Sequence, residues 1–139
     1  MSDVKYKAGS AIVVSDKDLL ALLDKISDSL GVTVEITSGD RNSVPGGGSR
    51  TSDHLAGRAV DIHFVGMPDA RAFGMLRQNR KAIFGEGTMG FQVIHHGPHT
   101  QTQGEHIHIG DNADRNKAGF WTEGLGAASR GHYLRVEMP

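Results

Sequence analysis

Two stretches of the chain carry side chains whose types and spacing could do chemistry. The first reads Thr51-Ser52-Asp53-His54-Leu55-Ala56-Gly57-Arg58-Ala59-Val60-Asp61-Ile62-His63. If residues 58–64 form a strand, side chains alternate between its faces. Val60 and Ile62 then share one face, and Ala59, Asp61 and His63 the other. Asp61 becomes a carboxylate among apolar neighbours, where an unpaired charge is costly. A metal ion, an arginine or a histidine would each relieve it. His54 stands just before the turn at Ala56-Gly57, and a chain reversing there could bring its imidazole beside Asp61. An ordinary Asp61–Arg58 pair with a surface His54 is the plainer alternative. The second stretch is Gly104-Glu105-His106-Ile107-His108-Ile109-Gly110. On a strand, His106 and His108 point to one face, about 7 Å apart. They are either a chance surface pair or a metal ligand beside a catalytic or supporting group. One carboxylate and two histidines from separate strands would give zinc three oxygen or nitrogen ligands. The fourth position stays open for water, as in catalytic rather than structural sites.

Composition narrows the alternatives. The chain has no cysteine, so disulfides and thiolate sites are excluded, and histidines and carboxylates remain as the strong transition-metal ligands. Eight histidines are present, and five of them (His95, His96, His99, His106, His108) fall close together. Fifteen Lys and Arg against sixteen Asp and Glu leave no charge excess to draw the chain to nucleic acid or an anionic membrane. No apolar run approaches the ~18–20 residues of a membrane span. The N-terminus has two lysines but no sustained apolar stretch, so no secretory signal is expected. A length of 139 residues fits one domain, spanning 1–139 and expected to be a monomer.

Periodicity supplies the elements that must position these groups. Leu19, Leu22, Leu23, Ile26 and Leu30 recur at helical spacing from about Asp16 to Leu30, with Ser15 and Asp18 resembling a capping box and Gly31 suiting the stop. Val32, Val34 and Ile36 alternate with polar residues as a strand does. A Gly-, Ser- and Pro-rich loop follows from about Gly39 to Asp53, and loops of that length in a small domain are usually functional or mobile. Arg58 to Phe64 reads as a strand, Pro68 to about Ile83 as one helix, and Phe91–His96 and Glu105–Ile109 as two more strands. The last thirty residues are hard to read beyond a short edge strand at Tyr133–Val136. The expected fold is a single α+β domain: a small antiparallel or mixed sheet with helices packed mainly on one side.

Taken together, Ser52-x-His54-x-x-Gly57-x-Ala59-x-Asp61 followed by Glu105-x-x-His108 resembles the signature of the zinc D-alanyl-D-alanine metallopeptidases. That group includes VanX-type dipeptidases, L-alanyl-D-glutamate endolysins and the hedgehog signalling domain. Thr37-Ser38-Gly39-Asp40-Arg41 resembles the family's Ser-Gly-x-Arg element. The likeness covers about Ile36 to Ile109, with three motifs in the right order. It implies a hedgehog/DD-peptidase-like fold and one zinc per chain, held by His54, Asp61 and His108. It also implies metal-assisted hydrolysis of the peptide stem or cross-bridge of bacterial peptidoglycan, by a carboxypeptidase or an endopeptidase. Glu105 would take the proton from the attacking water and return it to the leaving amine. Arg41 would grip a substrate carboxylate or the oxyanion. The family often has an aromatic residue where His106 stands, so His106 is expected to share in stabilising the oxyanion. Strict alternation would turn Glu105 away from His108 unless the strand begins or bulges at Gly104-Glu105. His63 is expected to be a supporting or exposed residue, and His95, His96 and His99 to be solvated or supporting. A noncatalytic zinc-binding module of the hedgehog type is the alternative function. A bacteriophage lysin or an excised catalytic domain would fit the absence of a cell-wall-binding module, and the site of action is left open.

Overall fold

The computed structural model describes residues 2–40, 57–85, 90–101, 104–111 and 117–137; His54 and Arg41 lie outside them. The first element is strand β1 (Val4–Tyr6), which the sequence reading did not anticipate, and the long helix α1 (Lys17–Leu30) follows. α1 buries Leu19, Leu22, Leu23 and Ile26 and ends at Gly31, whose φ of 65° is left-handed. That conformation costs glycine nothing and satisfies a terminal carbonyl. Its N-cap is Asp16, whose carboxylate accepts from the Asp18 and Leu19 backbone amides, and not a Ser15–Asp18 box. Ser15 is engaged elsewhere, its hydroxyl donating to the Asp40 carboxylate.

β2 (Val34–Ser38) and β3 (Ala59–Phe64) lead to α2 (Asp69–Gln78) and α3 (Arg80–Phe84). One continuous helix was expected here. The Met75 carbonyl accepts both the Asn79 amide at 3.0 Å and the Asn79 side chain at 2.8 Å, and Asn79 takes non-helical backbone angles of −105° and 17°. The side chain thus competes for a helical acceptor, and the segment splits in two there. β4 (Phe91–His96), β5 (His106–Asp111), β6 (Gly119–Glu123), a 3-10 turn (Ala127–Ser129) and β7 (Leu134–Val136) complete the chain. The sheet has seven strands in the order β1-β2-β3-β5-β4-β6-β7. It is mixed: β1–β2 and β4–β6 are parallel, and the other neighbours antiparallel.

Strand parity divides the sheet into two chemically different faces. Val60, Ile62, Val93, Ile107, Ile109 and Phe120 form the face against the helices, in one buried cluster with Leu19, Leu23, Ile26, Phe73 and Leu76. Phe120 sits edge-on to both Phe73 and Phe84, at 5.7 and 5.8 Å between ring centres. Burying a side chain of that size contributes about 1.5–3 kcal/mol. The other face carries two polar rows set by register. One runs Asp61–His108–Ile94–Trp121–Arg135 and the other His106–His96–Glu123. The α+β architecture expected from the sequence is the one observed.

Candidate active site

Antiparallel pairing puts Asp61 of β3 directly opposite His108 of β5. The Asp61 carboxylate is only 4% exposed. Its Oδ1 lies 3.3 Å from His108 Nδ1 and 3.4 Å from His106 Nε2. Charge-assisted hydrogen bonds are usually shorter, at about 2.7–2.9 Å. Two ligands at ~2.0–2.1 Å from a tetrahedral zinc lie about 3.3 Å apart. His106 Nδ1 is 2.7 Å from the Gly104 carbonyl, which can only accept, so Nδ1 carries a proton. In the neutral ring Nε2 therefore turns a lone pair towards a carboxylate oxygen. Two electron-rich atoms so placed want a cation between them, a proton or a metal. Asp61 with His108 or His106 is thus a donor set that could hold zinc. Asp61 is the hub, since the two imidazoles do not close into a compact trio. Among the described residues, the group of three whose ligand atoms all lie within 4.8 Å of one another is Asp16, Asp18 and Asp111. That group sits at the start of α1, on the other side of the sheet, where a helix N-terminus favours negative charge.

Glu105 lies just before β5, after Gly104 with its φ of 92°. Its carboxylate, 40% exposed, sits 3.0 Å from His95 Nε2. His95 belongs to the helix-side face, packed 5.6 Å from the Phe73 ring. The structure therefore brings Asp61, His106 and His108 together and joins Glu105 to His95 instead. His63 is tied to Asp69 at 2.8 Å, and that hydrogen bond raises its pKa above the ordinary imidazole value. His99 is exposed.

His95 and His96 are buried rather than solvated. His96 is stacked 4.6 Å from the His106 ring and stands edge-on to His108 at 6.3 Å. Its Nδ1 lies 2.6 Å from Glu123 Oε1. Glu123, 1% exposed, also accepts from the Thr100 hydroxyl and from the Gly131 amide at 2.8 Å. Burial would raise this carboxyl, but the hydrogen bonds from Thr100, Gly131 and His96 outweigh it and hold Glu123 below the usual carboxylate range. Burial, followed by the neighbouring His106, pushes His96 down to about 4 against the pull of Glu123. Tyr133 stands edge-on to His96 at 5.8 Å and is 46% exposed, so the cluster reaches the surface there. Glu123 escaped sequence reasoning because Gly119–Glu123 lacks a clear period-two pattern. Its parallel partner, β4, is also far away in the chain.

The fold is thus an α+β domain with a carboxylate–imidazole cluster on the face its helices leave free. The Peptidase M15 family model matches residues 3–97, more than half of the chain. The chain belongs to the M15 peptidases, the family of zinc D-alanyl-D-alanine carboxypeptidases and VanX-like enzymes. Membership supports a peptidase acting on a peptide substrate, in a family that is generally zinc-dependent. No curated protein matches the sequence. The matched segment contains Asp61, His95 and His96. Glu105, His106, His108 and Glu123 lie beyond it, and their relation to the site rests on the sheet register.

Proposed function

We propose that this protein is a zinc peptidase that hydrolyses the peptide stem or cross-bridge of bacterial peptidoglycan, with one zinc held by His54, Asp61 and His108. The observation that carries the reading is the buried Asp61 Oδ1, set 3.3 and 3.4 Å from two imidazole nitrogens. A metal held by these residues would supply a Lewis acid to polarise the scissile carbonyl. Asp61, fixed between its flanking strands, contributes a negative charge that needs no reorganisation. His108 presents Nδ1 from the opposite strand. His106, oriented by its bond to Gly104, stands ready to steady the developing oxyanion once protonated at Nε2. Glu105 takes the proton from the attacking water and returns it to the leaving amine. That role requires Glu105, exposed and ahead of β5, to leave its 3.0 Å contact with His95 and turn to the Asp61 face. Arg41 grips a substrate carboxylate.

A specific observation favours a second assignment of the proton carrier. His106, and not Glu105, shares the Asp61 face and lies 3.4 Å from the carboxylate. The substrate is tested by digesting purified sacculi and reading the muropeptides by mass spectrometry. The expected result is loss of mass at a peptide bond, D-Ala-D-Ala, L-Ala-D-Glu or a cross-bridge, with the glycan intact. Zinc-loaded protein that releases no fragment would favour a noncatalytic zinc module.

A further inference from the structure

We propose that Glu123 is a positioning residue of this site: acting through His96, it sets the tautomer and orientation of an imidazole packed against His106 and His108. The inference rests on the peptidase reading above and adds a group that neither the recognisable motifs nor the matched family segment contains.

Glu123 is buried, so both carboxylate oxygens need donors. Its Oε1 faces His96 Nδ1 at 2.6 Å and also accepts from the Thr100 hydroxyl. Its Oε2 accepts from the Gly131 amide at 2.8 Å. An ionised carboxylate can only accept, so His96 carries its proton on Nδ1 and leaves Nε2 as a lone pair. A carboxylate set behind an imidazole in this way fixes both the tautomer and the angle of the ring.

The ring so fixed is not remote from the chemistry. It lies nearly parallel to His106, with 29° between planes at 4.6 Å, and perpendicular to His108 at 6.3 Å. Register places His96 directly opposite His106 on β5 and Glu123 directly opposite His96 on β6. The three residues form one row across the sheet on the Asp61 face. A swing of His96 would remove the surface that keeps His106 flat, and with it the 3.4 Å approach of His106 to Asp61.

Glu123 itself is anchored by a close crossing of two chain segments. The Gly97 amide donates to the Glu123 carbonyl, and the His99 amide to the Gly124 carbonyl, both at 2.8 Å. A side chain on Gly124 would meet the Thr100 nitrogen at 2.5 Å. The carboxylate is thus held by backbone that has little room to shift.

Glu123→Gln keeps the size of the side chain but has one acceptor oxygen where three donors converge. Long-range imidazole 15N–1H spectra of the zinc-free protein, with His96 assigned by its loss in His96→Gln, read the tautomer without any substrate. The expected result is a proton on Nδ1 in the wild type and a shift towards Nε2 in Glu123→Gln. On muropeptide, Glu123→Gln is expected to lower kcat by about 10- to 100-fold with KM unchanged, the range for losing a group that orients a metal site. Because Glu123 acts through His96, the double variant should be no slower than His96→Gln alone. A wild-type proton on Nε2 overturns the proposal even if Glu123→Gln fails to fold. So does an unchanged kcat, or losses that multiply in the double variant. A wild type that cleaves nothing overturns the peptidase reading itself; an active wild type with an indifferent Glu123→Gln overturns only the role of Glu123.

Discussion

Asp61→Asn separates metal binding from fold, because it keeps the shape of the side chain and removes its charge. In the zinc-free protein the buried carboxylate has the His106 and His108 ring nitrogens 3.4 and 3.3 Å from its Oδ1. Replacing it with a neutral amide should change stability by no more than about 1–2 kcal/mol. With zinc present the comparison is different. At a hundred times the dissociation constant, a ligand that binds only the folded state adds about 2.7 kcal/mol. For a domain of this size that raises the melting temperature by on the order of 10 °C. A unit charge pair at 4 Å in an effective dielectric of 20 is worth about 4 kcal/mol, and a divalent ion has more to lose. Losing the carboxylate therefore weakens zinc by at least ~100-fold. At the same zinc concentration only about 0.4 kcal/mol remains, or roughly 2 °C. Differential scanning calorimetry of both proteins, with and without zinc, reads these shifts. An Asp61→Asn protein that gains as much from zinc as the wild type would refute the assignment of Asp61.

Four further variants have definite expected outcomes. Glu105→Ala is expected to keep zinc and fold while hydrolysis falls by about 10²–10⁴-fold. His106→Ala should keep zinc and some activity, and the reverse pattern on muropeptide would make His106 the proton carrier. Burial and the adjacent Asp16 push the Asp111 carboxyl up to about 6, so the fold favours its neutral form. Stability from this source is full below the unfolded value of ~3.9 and lost as pH rises through about 6. Asp111→Asn should then match the wild type near pH 4 in urea unfolding and exceed it by about 1 kcal/mol at pH 8, after solvent screening; equal differences at both pH values would contradict this. Gly124→Ala must accept a φ of 68° and a 2.5 Å approach to the Thr100 nitrogen. A loss of about 2–4 kcal/mol in thermal or urea unfolding is expected.

The parts of the molecule that were legible in the sequence are those where one side chain in two or four must be apolar. α1 announced itself through Leu19, Leu22, Leu23 and Ile26, and β3 and β5 through the alternation that puts Asp61 and His108 on one face. Alternation also turns Glu105 away from His108, and its carboxylate lies against His95 of the helix-side face. Capping was less legible, because Ser15, Asp16 and Asp18 are all good caps and the choice depends on Asp40, distant in sequence. The break at Asn79 depends on a side-chain bond that competes with the helix locally. β6 and the Glu123–His96 pair were not legible at all. They arise from a parallel pairing of β4 with β6, which leaves no mark on either segment alone. Of the expected site, Asp61, His106 and His108 are brought together, whereas His54 and Arg41 fall outside the described residues.

The proposed function turns on zinc at Asp61 and His108 driving peptide-bond hydrolysis. Its most direct test is a zinc titration of chelator-stripped protein, following amine release from a defined muropeptide. The expected result is no release without metal, recovery that saturates near one equivalent of zinc per chain, and no recovery in His108→Ala at the same concentrations. Release that persists in the stripped protein, or that zinc restores equally in His108→Ala, would contradict it.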